Sequence, residues 1–145
     1  MTVCLNNYVT TSNCNMPITN YSHQVRDEQD ESLLHTISIA IEATTTSEEC
    51  YGESDPCTGH AVWFAATNLC DFLVSEGNLK NAARVLELGA GPGLAGICAA
   101  RLCAGNNNLI STGTRLVLTD GDTGVVELLR RNRARNGLDS DTVHA

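Results

Sequence analysis

Residues 84–96 read Arg-Val-Leu-Glu-Leu-Gly-Ala-Gly-Pro-Gly-Leu-Ala-Gly, a short apolar run that breaks at a cluster of glycines and resumes as a helical pattern. A strand handing over to a helix through glycines restricts the fold more than any other feature of the chain. Residues without side chains at such a turn let a nucleotide-like ligand approach backbone N–H groups at a helix N-terminus. Gly91-Pro92-Gly93-Leu94-Ala95-Gly96 satisfies the G-x-G-x-x-G pattern of dinucleotide-binding folds, a weak signal alone. Counted from Gly89, the glycine that directly follows the strand, the frame is G-x-G-x-G instead, and Leu94 occupies the last dinucleotide position. In that second frame Gly96 carries no ligand duty, so Gly91→Val is expected to abolish cofactor binding and Gly96→Ala to be far milder.

Leu116 to Thr119 form a second short apolar strand that ends at Asp120, on the same sheet edge as the glycine turn. An acid in that place accepts hydrogen bonds from both ribose hydroxyls of an adenosine ligand. Glu87, two residues before Gly89, sits badly beside a pyrophosphate and suits a cationic ligand such as S-adenosylmethionine. Asp122 directly precedes the apolar stripe Val125, Val126, Leu128 and Leu129 and is read as a helix N-cap. Arg130, Arg131, Arg133 and Arg135 gather toward the end of that helix, where its dipole favours cations, and read as a solvated face before Gly137 stops the helix. The order β-α-β-α predicts an α/β fold with an open, doubly wound parallel sheet.

The rest of the chain is less regular. Residues 1–32 show neither a helical nor a strand period and read as a flexible polar tail, leaving 33–145 as the folded domain. Ile37, Ile39 and Ile41 alternate with small or polar residues, the mark of a half-buried strand over 35–41, and Thr44 to Thr58 reads as an acidic loop. A helix is predicted over His60 to Glu76, with Val62, Ala66, Leu69, Phe72 and Leu73 on its apolar face and Gly77 as its stop. Asn106 to Thr114 is a polar loop, and residues 141–144 hold the beginning of a further strand.

A net charge of −8 argues against a protein that holds nucleic acid through its overall field. The seven cysteines include no C-x-x-C pair, and Cys70, Cys98 and Cys103 fall inside helical apolar patterns, so they read as structural thiols rather than a metal or disulfide set. No apolar run reaches the roughly 18 residues of a membrane span, and the N-terminus lacks the order of a signal peptide. A soluble cytoplasmic or nuclear setting is the expectation.

Five blocks in order carry a resemblance: residues 35–43 (HTISIAIEA), 58–73 (TGHAVWFAATNLCDFL), 85–100 (VLELGAGPGLAGICAA), 116–122 (LVLTDGD) and 128–137 (LLRRNRARNG). Together they resemble the seven-strand, S-adenosylmethionine-dependent methyltransferases that modify lysines of non-histone proteins such as chaperones, calmodulin and elongation factor 2. The resemblance implies a Rossmann-like sheet, S-adenosyl-L-methionine as cofactor and a protein substrate. It places Trp63 near the cofactor, against the simpler reading of Trp63 as a core tryptophan. The family's glycine motif falls on Glu87, Gly89, Ala90, Gly91 and Gly93, and its T-D motif on Thr119 and Asp120. The later strands, the adenine cover and the D-x-x-Y block that meets the acceptor lysine would lie after Ala145. The chain is therefore expected to hold an incomplete sheet with the cofactor half, to lack an assignable catalytic residue, to bind S-adenosylmethionine weakly or undetectably and to transfer no methyl group. Small-molecule or nucleic-acid methylation, or a non-catalytic binding module, are the competing functions.

Overall fold

The computed structural model describes residues 10–11, 17–26, 34–43, 58–76, 79, 82–104, 115–138 and 143–144. Strands β1 (Thr10–Thr11), β2 (Pro17–Arg26) and β3 (Leu34–Glu42) form an antiparallel sheet in that order. A 3₁₀ turn (Thr58–His60) leads to helix α1 (Phe64–Glu76), and then β4 (Arg84–Leu88), α2 (Leu94–Ala104), β5 (Arg115–Thr119), α3 (Thr123–Arg135) and β6 (Val143–His144) follow. β4, β5 and β6 make a parallel sheet in sequence order, with Leu88 level with Thr119 and Leu116 with Val143.

The apolar alternation of Ile37, Ile39 and Ile41 places them on one face of β3, where Ile39 and Ile41 are buried against α1 and α2. Leu116 and Leu118 alternate in the same way on β5 and meet Ala99 and Ala100 of α2 and Leu129 of α3. α2 thus lies between the antiparallel sheet and the parallel one, which is why it is apolar on every side and buried in all but one of its positions. α3 begins at Asp122, whose carboxylate accepts from Gly124 N–H at 2.7 Å and Val125 N–H at 3.1 Å, as the sequence predicts for an N-cap. It ends in a Schellman motif: Gly137 has φ +65°, its N–H reaches Ala134 O at 2.9 Å and that of Leu138 reaches Arg133 O at 3.2 Å.

Two expectations are corrected here. The segment read as a flexible tail contains β2, which pairs with β3 from Ile18 opposite Glu42 to Arg26 opposite Leu34. Its inward residues include Tyr21, His23 and Val25, so polarity conceals the period; Ile18 and His23 are buried, and His23 Nδ1 lies 3.1 Å from Asp71 Oδ1 of α1. The apolar face of α1 is the predicted one only in part, since Ala66 and Leu73 pack against the core as expected. Cys70 is its buried residue, flanked by Ala66, Leu73 and Val74, while Leu69 and Phe72 are exposed. Cys70, Cys98 and Cys103 are free thiols in the interior, in keeping with a structural reading. The acidic loop up to residue 57, the Asn106 to Thr114 loop and Gly77 lie outside the described residues.

Candidate functional site

Where β4 ends, Gly89, Gly91 and Gly93 have φ of +66°, +56° and +91°, backbone states that side chains other than glycine resist. The turn they make is stitched to the end of β5. Ala90 N–H donates to Thr119 O at 2.8 Å, the Thr119 hydroxyl donates to Glu87 O at 2.9 Å, and Gly91 N–H donates to Asp120 Oδ2 at 3.0 Å. Asp120 Oδ1 accepts Asp122 N–H at 3.1 Å, so its carboxylate bridges the glycine turn and the entry to α3. Each carboxylate oxygen has about two acceptor sites, and Asp120 therefore retains capacity for donors from a ligand.

Glu87 points away from this edge and into the layer between β4 and α2. Its carboxyl accepts the Gly96 N–H, and its Oε2 is buried with no hydrogen-bond partner among the described residues. Burial without a cation pushes the group up from 4.5 to about 7, against the smaller opposing pull of the Gly96 bond. Gly96 is no bystander. A Cβ there would run into the Leu118 side chain and stand 2.5 Å from Glu87 Oε2, so alanine at 96 presses on the packing of α2 against β4 and β5. Close approach of helix to strand is the third glycine's duty in dinucleotide folds, and Gly96 performs it here as well.

The Trp63 indole N–H donates to Thr58 O at 3.0 Å and fixes the 3₁₀ turn, and the ring is 38% exposed rather than a core residue. That turn stands over the glycines: a Cβ on Gly91 would be 3.3 Å from Gly59 O and 3.9 Å from Ala61 O. Gly59 in turn abuts Val125 at the start of α3, where a Cβ would come within 2.7 Å of Cγ2. The structure therefore brings Gly89, Ala90, Gly91, Gly93 and Asp120 together, adds the turn held by Trp63, and sets Glu87 behind them. Sequence reasoning missed Gly59, whose only signal is its place four residues before Trp63. It also missed Asn132, which donates to Pro92 O at 2.9 Å.

A parallel β-α-β-α unit in which left-handed glycines and an aspartate meet at the strand ends defines an α/β protein of the nucleotide-cofactor class, to which methyltransferases belong. The chain belongs to the lysine methyltransferase family, whose model matches residues 46–145. It is 43% identical over 84 residues to the protein N-lysine methyltransferase METTL21A of Xenopus tropicalis, covering 57% of this chain and 33% of that protein. It is 31% identical over 93 residues to the protein-lysine N-methyltransferase EFM6 of Saccharomyces cerevisiae, covering 57% of this chain and 36% of that one. With the protein-lysine N-methyltransferase EFM3 of Chaetomium thermophilum it shares 43% over 88 residues, 59% of this chain and 24% of the relative. The chain thus spans about a quarter to a third of the length of these relatives.

Proposed function

We propose that this chain forms the S-adenosyl-L-methionine-binding part of a protein-lysine methyltransferase, and that β4, β5 and β6 belong to a doubly wound, Rossmann-like sheet. The observation that carries the reading is the Gly91 N–H to Asp120 bond, which joins a glycine turn open to backbone approach with an acid suited to ribose hydroxyls. The residues fit such a ligand: a side chain is absent at 89 and 91, and Asp120 has acceptor sites to spare. Gly89, Ala90, Gly91 and Gly93 would offer backbone, Asp120 would take the ribose and Trp63 would wall the site, with Glu87 set behind the turn. When bound, S-adenosylmethionine supplies a methyl group activated on its sulfonium. The acceptor in this reading is a lysine side chain of a non-histone protein, the lysine being in line with the names of the relatives.

Titration calorimetry of the 145-residue chain with S-adenosylmethionine and, separately, with NADH tests the reading. Single-site binding of the first and none of the second is expected. Binding of NADH alone, or of neither, overturns it.

A further inference from the structure

β3 pairs with β2 along one edge, and its other edge is met by the side of α3. Four residues of helix advance about 6 Å and two residues of strand about 6.6 Å, so carboxamides one turn apart can serve alternate residues of an extended edge. Asn132 and Asn136 do this. Asn132 Oδ1 accepts the Glu42 N–H at 2.8 Å while its Nδ2 donates to Glu42 O at 2.9 Å. Asn136 repeats the pattern on Ala40, at 3.0 Å and 2.8 Å. Both side chains are buried, and each stands in for one peptide of a neighbouring strand. The Glu42 carboxylate completes the clamp with Arg135 at 2.8 Å and Arg131 at 3.3 Å.

The two asparagines differ in one bond. The remaining amide hydrogen of Asn136 goes to Asn132 O within the helix, whereas that of Asn132 goes to Pro92 O, in the middle of the glycine turn. With both donor hydrogens and its acceptor engaged, the Asn132 carboxamide fixes the β2–β3 hairpin and the turn at once. The turn is held from its other side by Asp120 at Gly91 N–H.

We propose that Asn132 is a positioning residue for the cofactor-binding turn, and that through it the docking of the β2–β3 hairpin and the binding of cofactor are energetically coupled. The proposal rests on the S-adenosylmethionine reading given above. Coupling of this kind is reciprocal, so a ligand that tightens the turn also tightens the hairpin.

Amide hydrogen exchange, resolved by residue on the whole chain, tests it in two ways. Saturating S-adenosylmethionine is expected to slow the Ala40 and Glu42 amides by about fivefold or more, together with those of the turn. In the unliganded chain, Asn132→Ala is expected to speed exchange at Gly91 and Gly93 by roughly fivefold or more. Asn136→Ala is expected to release Ala40 and leave Gly91 and Gly93 unchanged. Protection confined to the turn, with Ala40 and Glu42 unaltered, overturns the coupling. Equal loosening of the turn by both variants, or by neither, overturns the positioning role. Absence of protection anywhere on adding S-adenosylmethionine defeats the cofactor reading instead, and the unliganded comparison then still decides the role of Asn132. Should Asn132→Ala fail to fold, the ligand experiment on the unaltered chain decides the coupling.

Discussion

Glu87→Gln isolates the cost of burying a carboxyl group without a cation. The group titrates near 7 in the fold and at 4.5 when solvated, because burial disfavours its charged form. Its folded value is raised, so the protonated form favours the fold. That contribution is complete below pH 4.5 and is lost as pH rises toward and through 7. A displacement of about 2.5 on the pH scale corresponds to about 3 kcal/mol at 1.36 kcal/mol per pH unit. Glutamine keeps an acceptor for the Gly96 N–H and has no charge to bury. It also leaves an amide without partners where Oε2 now lies, at a cost of about 1–2 kcal/mol. The variant is therefore expected to exceed the parent by about 1–2 kcal/mol at pH 8.5 and to fall about 1 kcal/mol below it at pH 4.5. Urea unfolding of both chains across that range gives the difference directly, since every other titrating group is shared and cancels. A difference that stays constant with pH would refute the reasoning, because it would mean that Glu87 does not titrate abnormally in the fold.

Asp120→Ala removes the acceptor of two backbone N–H groups and of the proposed ribose bonds, and S-adenosylmethionine affinity by calorimetry is expected to drop by roughly tenfold or more. An unchanged dissociation constant in a folded variant counts against the ribose assignment. Gly91→Ala, at φ +56° and 3.3 Å from Gly59 O, and Gly96→Ala, against Leu118, are each expected to lower stability by about 1–3 kcal/mol, measured by denaturant midpoint. A neutral Gly96→Ala would show that α2 can shift from β4 and β5 without strain. Cys70, and then Asp71, hold His23 above its ordinary 6.5, although burial pulls the other way. Its contribution to stability is expected to be full below pH 6.5, to fade as pH rises through the higher folded value, and to vanish in His23→Gln.

α2, β5 and α3 were legible because they bury apolar residues at the spacing of regular elements, whereas β4, with Leu86 and Leu88 exposed, was marked by its apolar run into the glycines. The glycine turn was legible for a different reason, since few chain conformations need glycine at 89, 91 and 93 together. β2 was hidden because a strand that pairs along its length with β3 draws on backbone bonds, which leave no mark on composition. Its anchor is a histidine bonded to the next layer rather than an aliphatic side chain. The face of α1 was misjudged because periodicity in Leu69 and Phe72 competes with that in Ala66, Cys70 and Leu73, and the small residues won where α1 and α2 approach closely. Gly96 escaped because a frame that names glycines by their ligand duty overlooks one that serves packing.

Three acids show how far residue type underdetermines role. Glu42, Glu87 and Asp120 each close a strand or lie within two residues of its end, and charge alone does not tell them apart. Glu42 is wholly buried, but the two arginines one turn apart on α3 reach it, so part of the basic run read as a solvated face is a counter-ion for the hairpin. Arg130 does take the solvated part, pairing with Glu127 three residues earlier on the same helix. Glu87 is buried with a single backbone donor and becomes a weak acid, poised to ionise if a cation approaches. Asp120, more open, uses its charge on two N–H groups and thereby defines the shape of the turn. What distinguishes the three is the number and charge of the donors that the surrounding elements bring, and those donors come from segments up to 93 residues away along the chain. The chemistry of the site thus depends on the packing of α3 against β3 as much as on the glycines that announce it.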